Sequence, residues 1–332
     1  MFDVESIFSR TLEKVFVVAE IGINHNGSFD KLIKLIEMAK KSGADAVKFQ
    51  IFSEEGFYID RKYIPSQYLS VYPDELFKKL YLPFKAYEEA FKFAESIDIL
   101  PFATPLDLES LNFLIRMNVK LFKVASSDIN YVPLIAEIKK TKKPVILSTG
   151  FSRITEIDNC KRFFGNYPLI LMYCVSKYPS KPEDFSLNEF KKFLKKYKYV
   201  GFSDHTKTLS LPVAFVALGA RVIEKHITLD ENDDSPDNPV SITPEKFTQM
   251  VNMIREVETS LKTPKKSFPD KLVQILSKRS FVARRDIKKG TIISEEDIEA
   301  KRPAIFRKSN FRNYNEIIDK VAKKDISKGE PL

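Results

Sequence analysis

Three histidines and a few lysines buried in apolar runs carry the chemical signal of this 332-residue chain. His25, His205 and His226 sit in VVAEIGINHNG, VGFSDHT and VIEKHIT. In each case a short apolar run ends and charged or small polar residues begin. Lys48 and Lys123 stand in AVKFQ and LFKVAS, strand-like runs that are otherwise apolar. A buried ammonium is costly unless it is paired or holds a ligand. An anionic ligand, a phosphate or a carboxylate, would account for both lysines. A Schiff base with a carbonyl substrate is a second use. An ion pair with Glu20 or Glu224 is the plainer one.

These residues need a scaffold, and the apolar pattern supplies one. Apolar runs rich in β-branched residues fall at 15–22, 46–50, 99–104, 121–126, 144–150, 169–175, 200–205 and 222–228. Stretches with helical apolar spacing follow at 31–42, 85–96, 108–117, 132–141, 155–164, 187–197, 209–218 and 244–261. Continuous apolar strands alternating with amphipathic helices predict a parallel sheet buried on both faces. Eight units over roughly 250 residues predict an α/β fold of the (β/α)8 TIM-barrel type. An open doubly wound sheet would need a Gly-rich dinucleotide turn, and GINHNG is not G-x-G-x-x-G. Residues 52–82 form a Tyr- and Pro-rich insertion after the second strand, a candidate lid or rim loop. After the eighth helix KTPKKSFPD lacks apolar periodicity. The division expected is a barrel over 1–262, a linker over 263–275 and a small β-rich domain over 276–332. Within that domain RRDIKKGTI and KKDISKGEPL echo each other, as two related hairpin-like pieces would.

In such a barrel the chemistry belongs at the C-terminal ends of the strands. Glu20 falls near the end of the first strand, and Lys48 and Gln50 end the second. Thr104 ends the third, Lys123 and Ser126 the fourth, Ser148 and Thr149 the fifth. Tyr178 follows the sixth. Ser203 and His205 end the seventh, Glu224 and His226 the eighth. Residues two apart on a strand share a face, so His205 and His226 are expected to converge above the barrel. Two imidazoles with oxygen donors nearby do not make a closed four-ligand zinc site. They suit an open site for a divalent ion, with imidazole nitrogen favouring Mn²⁺ over Mg²⁺ and Co²⁺ as an alternative. Two satisfied core histidines are the plainer reading. Serine and threonine hydroxyls can add neutral donors around an anion.

Bulk properties exclude several classes. The apolar share is 43% and the charged share 30%, an ordinary globular balance. No apolar run approaches the ~18 residues of a membrane span. The N-terminus MFDVESIFSRTLEK has acids early and no apolar core, unlike a secretory signal. Cys160 and Cys174 lack metal-type spacing and suit a reducing, cytoplasmic setting. The net charge of +9 is spread over helix faces such as Lys191, Lys192, Lys195 and Lys196, so no nucleic-acid partner is expected.

The motifs VAEIGINHNGSFDKLIKLIEMAKKSGADAVKFQ, PFATPLD, FKVASSDINYVPLI, ILSTG, GFSDHT and VIEKHITL stand in one order. That order resembles the sialic acid synthases, the makers of N-acetylneuraminate, legionaminate and pseudaminate. RSFVARRDIKKG and KRP resemble their C-terminal antifreeze-like (SAF) domain. The resemblance implies condensation of phosphoenolpyruvate (PEP) with an N-acylated hexosamine aldehyde, in a domain-swapped homodimer. It implies a divalent metal on His205 and His226. PEP would lie against Lys48, Lys123, Thr104, Ser126, Ser148 and Ser203, with Gln50 beside them. Glu20, Tyr178 and Asp237 would meet the sugar, and Arg302 of a second copy its acyl group. Asp128 stands where the family commonly has Glu, near the reacting carbons. Ser176 stands where Asn is frequent and Ala304 where Gly is usual. These departures bear on sugar choice, and PDNPVS looks more like the neuraminate and legionaminate members. A 3-deoxy-ulosonate phosphate synthase, a metal-independent Schiff-base aldolase and a carbohydrate-binding protein are the alternatives.

Overall fold

The computed structural model of the chain describes residues 3–9, 14–53, 59–71, 74–306 and 309–332. Two compact units divide it, Met1–Lys262 and Thr263–Leu332. In the first, eight parallel strands close into a barrel. They are β1 (Phe16–Gly22), β2 (Ala46–Ile51), β3 (Leu100–Pro105), β4 (Phe122–Val124), β5 (Val145–Ser148), β6 (Leu169–Tyr173), β7 (Val200–Asp204) and β8 (Val222–His226). Each pairs with the next, and β1 closes on β8.

The strand period of two sorts their residues into two cores. Phe16, Val18, Ala46, Leu100, Phe102, Ile146, Ile170, Met172 and Val222 pack inside the barrel. Their neighbours in sequence, such as Val17, Ala19, Val47, Ala103, Leu147 and Ile223, pack outward against the helices. Along the inward face the character changes with height. Phe16 and Val18 lead to Glu20, Ala46 to Lys48 and Gln50, Leu100 and Phe102 to Thr104, and Val222 to Glu224 and His226. An apolar plug at the N-terminal end thus supports a polar layer at the C-terminal end. Gly201 is required in the plug, where a Cβ would lie 2.4 Å from Met172 Sδ and 2.8 Å from the Val222 carbonyl oxygen.

Helices cover the barrel through stripes at three- and four-residue spacing. Phe29–Lys41 buries Leu32, Leu35, Ile36 and Ala39, and the Ser28 hydroxyl at its N-cap accepts from the Lys31 N–H at 3.3 Å. Between the seventh strand and its helix, Phe202 stacks on Phe215 with ring centres 3.8 Å apart. The fourth strand is shorter than its apolar run predicts. It ends at Val124, and Ser126–Asp128 form a 3-10 turn. The described part of the 52–82 insertion holds 3-10 turns at Arg61–Tyr63 and Ser66–Val71 and a helix at Asp74–Leu80. Residues 54–58 and 72–73 of that candidate lid lie outside the described residues. Among the described residues no helix is long and apolar enough to cross a membrane.

In the second unit the stretch expected as a linker is helical from Lys271 to Ser277. KLVQILS has the apolar spacing of a helix turn, which the Pro/Lys run before it obscures. β9 (Ser280–Ala283) and β10 (Ile298–Lys301) form an antiparallel pair. The two echoing segments pack against each other. Ile287 and Ile326 exchange backbone hydrogen bonds at 2.8 and 2.9 Å. Asp325 accepts from the Lys289 N–H at 2.8 Å, and Asp286 from the Lys328 N–H at 2.7 Å. Each repeat thus caps the other's turn, and both turns need a left-handed glycine, Gly290 and Gly329.

Candidate active site

A cavity of about 230 Å³ opens at the C-terminal ends of the barrel strands. Glu20, Lys48, Gln50, Thr104, Lys123, Ser126, Ser148, Tyr178, Ser203, His205, Glu224 and His226 all line it. Strand register brings them together. Glu20 is the cross-strand partner of both Lys48 and His226, and Ser203 is that of Glu224.

The two lysines have different surroundings. Lys48 Nζ lies 2.8 Å from Glu20 Oε2, 3.7 Å from Glu224 Oε2 and 3.2 Å from Thr104 Oγ1. The ion-pair reading therefore describes Lys48. Burial alone would lower its pKa, but the two carboxylates raise it, so the ammonium stays charged. Lys123 Nζ donates to Ser148 Oγ at 2.7 Å and to the Val124 carbonyl at 3.2 Å. Among the described residues no carboxylate lies within ion-pair distance of it. Burial pushes its pKa down. Glu224 offsets part of that effect from beyond ion-pair distance, and an anion in the cavity would supply a direct counter-charge.

The carboxylates divide as well. Glu224 is held below its ordinary range, because Lys123, Lys48 and His205 outweigh the effect of burial. Glu20 is pushed up to about 7, chiefly by burial, with Glu224 and Asp237 adding to the shift. Asp237 rises to about 6 for the same primary reason. It accepts from the Ile23 N–H at 3.4 Å and lies 3.5 Å from His226 Nδ1. Two buried acids poised near neutrality beside an ionised one can move protons at pH 7.

The Glu20 shift has a sign that can be measured on metal-free protein. A carboxyl raised from 4.5 to about 7 holds its proton more tightly folded than unfolded. The stability tied to that proton is present below pH 4.5 and is lost as pH rises through 7. Glu20→Gln is expected to flatten the decline of Tm between pH 4.5 and 7 in EDTA. A slope equal to that of the parent chain would refute the assignment.

His205 and His226 converge, with ring centres 5.5 Å apart. His205 Nδ1 lies 2.8 Å from the Val175 carbonyl, which can only accept, so the proton is on Nδ1 and Nε2 is the acceptor nitrogen. Nε2 meets the Tyr178 hydroxyl at 3.0 Å. Burial lowers the pKa of both rings, that of His226 well below its ordinary value. His226 Nδ1 is buried and lacks a hydrogen-bond partner among the described residues. Neutral imidazoles, one held by a backbone carbonyl, fit a metal. No group of three or more His, Cys, Asp or Glu able to hold an ion occurs among the described residues. The remaining positions would therefore belong to water and substrate.

Some expected residues lie elsewhere. His25 is satisfied away from the cavity, its Nδ1 accepting from the Gly27 N–H at 3.1 Å and its Nε2 lying 3.2 Å from the Tyr87 hydroxyl. Thr149 donates to the Met172 carbonyl at 2.8 Å and does not line the cavity. Asp128 is half-buried on the 3-10 turn after β4, outside the lining, with its carboxyl pKa raised by burial. Arg302 belongs to the second unit and is exposed. Residues that the sequence reading did not place in the site do line it. Cys174, Ser127, Phe77 and Phe151 form part of the wall, and Ser176, expected above to bear on sugar choice, lines it with Oγ 3.1 Å from Ser126 Oγ. Cys174 shares the inward period of Met172, which could have marked it. Phe77 arrives from the insertion, and no strand period reaches it.

Fold and site together define a TIM-barrel enzyme whose basic pocket sits beside two imidazoles and two buried acids. The chain belongs to the NeuB family, whose model matches residues 35–266, and residues 278–332 match the SAF domain. The chain is 36% identical to the N,N'-diacetyllegionaminic acid synthase of Campylobacter jejuni, over 96% of this chain and 99% of that one. It is also 36% identical to a pseudaminic acid synthase of Campylobacter jejuni, over 97% and 96%. A crystal structure of N-acetylneuraminic acid (sialic acid) synthetase from Leptospira borgpetersenii matches with a TM-score of 0.69 at 30% identity, over 79% of this chain and 89% of that one. These three relatives are named as synthases of legionaminic, pseudaminic and sialic acids. Equal identity to two of these classes does not separate their substrates.

Proposed function

We infer that the chain condenses PEP with an open-chain N-acylated hexosamine, giving a nonulosonic acid and phosphate. The observation that carries this reading is Lys123, a buried ammonium with no carboxylate within ion-pair distance among the described residues, facing a hydroxyl-lined cavity beside Lys48. PEP carries both a phosphate and a carboxylate, and two lysines with Thr104, Ser126, Ser148 and Ser203 match that charge.

The bonds balance as follows. C3 of PEP forms a bond to the aldehyde carbon of the sugar, whose oxygen becomes a hydroxyl. Water adds to C2 of PEP and loses a proton. The resulting phosphate hemiketal breaks the C2–O bond to phosphorus-bound oxygen, its hydroxyl proton passes to the departing phosphate, and a 2-keto acid is left. Glu20, near 7, would protonate the new alkoxide. Glu224, ionised, is placed to orient the water and accept its proton, with Ser203 Oγ donating to it at 3.1 Å. Lys48 and Lys123 hold the anionic groups in near-attack geometry. His205 and His226 would hold the divalent ion, which supplies Lewis acidity toward a carbonyl oxygen when bound. Mn²⁺ suits two imidazoles best, with Mg²⁺ and Co²⁺ as alternatives. Asp237 and Tyr178 would meet the sugar, and a second copy would supply Arg302.

Phosphate release from PEP across a panel of N-acyl hexosamines tests the reading. Release that depends on one class of sugar, with matching keto-acid formation, is the expected result. Absence of release with every sugar and metal tried would overturn it. The lowered pKa of Lys123 also suits a Schiff base. Borohydride trapping with pyruvate separates that chemistry, and no covalent adduct is expected.

A further inference from the structure

At the ends of β7 and β8 one charged residue on each strand faces away from the cavity. Asp204 lies between Ser203 and His205, and Lys225 lies between Glu224 and His226. The two are cross-strand partners. Both side chains are 0% exposed, and Lys225 Nζ is 2.7 Å from Asp204 Oδ2. Neither touches the cavity described above.

Their hydrogen bonds converge on the backbone around His205. Asp204 Oδ1 accepts from the Thr206 N–H at 2.9 Å, and Oδ2 accepts from the Thr206 hydroxyl at 3.2 Å. Lys225 Nζ also donates to the Thr206 carbonyl. Thr206 Oγ1 in turn accepts from the Thr208 N–H at 3.1 Å. The residues immediately before and after His205 are therefore both fixed. The same network grips the residue immediately before His226. From the other side, the His205 carbonyl accepts from the Ser180 N–H at 3.1 Å.

We propose that the Asp204–Lys225 pair is a positioning device, which sets the orientation and spacing of the His205 and His226 imidazoles. Stability is a poor reason for burying these two charges. Desolvating both ions is costly, and well-packed apolar residues commonly serve as well or better. An ion pair with directed hydrogen bonds instead specifies one arrangement of two strand ends. Rings whose neighbours are locked hold their tautomer and angle, and supporting contacts of this kind tune a metal site. The effect on metal affinity rests on the metal reading given above, whereas the effect on ring orientation does not.

The test uses the full chain and two variants. Asp204→Leu combined with Lys225→Met removes both charges and leaves no lone buried ion. Asp204→Asn keeps the volume and an oxygen for the Thr206 N–H, and leaves the Lys225 ammonium without its charge partner. Thermal unfolding identifies which variants fold, and Asp204→Asn decides the matter if the double variant does not. ¹⁵N NMR of histidine-labelled protein in EDTA reads the ring tautomers, and EPR titration reads Mn²⁺ binding. A folded variant is expected to convert His205 from a single Nδ1–H tautomer to a mixture. Its Kd for Mn²⁺ should rise about 10- to 100-fold. In turnover, kcat should fall while the KM for PEP stays near that of the parent chain. A folded variant with unchanged tautomers and an unchanged Kd would overturn the proposal. A parent chain that binds no Mn²⁺ would defeat the metal reading alone, and the tautomer result would then decide the positioning role.

Discussion

Lys48→Met is expected to lower PEP-dependent phosphate release by about three orders of magnitude, the upper end of the loss from removing one preorganised charge donor. The ammonium lies between two buried carboxylates, 2.8 Å from Glu20 and 3.7 Å from Glu224. Methionine fills the volume and removes the charge. Glu20 then faces Glu224 without its own counter-ion, while Lys123 still favours the ionised form of Glu224, and one acid must take up a proton. The Glu20 carboxyl, already pushed up to about 7, is the one that gains it. Water orientation by Glu224 and anion binding by Lys48 are lost together. Breaking a buried ion pair from one side also costs stability, about 3–5 kcal/mol. Urea unfolding measures that loss, and a phosphate assay at saturating PEP separates it from catalysis. A folded Lys48→Met chain within tenfold of the parent rate would show that Lys48 serves the fold alone.

His226→Ala is expected to abolish metal-dependent turnover, by roughly three orders of magnitude or more if the ion supplies several kcal/mol of Lewis-acid stabilisation. Among the described residues only two imidazoles line the site, so removing one leaves no multidentate hold. Burial already keeps His226 neutral, so the substitution deletes a lone pair and not a charge. The parent chain should lose activity in EDTA and regain it with Mn²⁺, while the variant should not respond to added metal. Activity that survives both His226→Ala and EDTA would remove the metal from the mechanism. The two variants also differ in kind. Lys48→Met should raise the KM for PEP as well as lower kcat, whereas His226→Ala should act on kcat alone.

Much of the site was legible because a strand has a period of two. Lys48 with Gln50, Ser203 with His205 and Glu224 with His226 are each two apart, at the end of an apolar run. Their common face follows from backbone geometry. The eight-fold alternation of runs and helices then placed those faces on one axis. The choice between an ion pair and an anion site at the two lysines was not legible. Lys48 and Lys123 have similar neighbours in sequence. Only the barrel register sets Glu20 beside Lys48 and leaves Lys123 with a serine. Thr149 misled for a related reason. It stands one residue beyond the end of β5, where the strand period no longer applies, and its hydroxyl turns to the Met172 carbonyl.

Local composition determined the elements, the polar character of the strand ends and the order of the motifs, because burial patterns are written at short range. Tertiary structure decided which charges meet. Glu20 and Lys48 are 28 positions apart in the chain, Glu20 and His226 more than 200, and closure of β1 on β8 makes both pairs neighbours. Coulomb energy and desolvation depend on those distances and on the surrounding dielectric, and no spacing along the chain encodes them. That is why His25 and His226, each ending an apolar run, part company in the fold. One finds two partners outside the cavity, and the other keeps a buried nitrogen with no hydrogen-bond partner among the described residues.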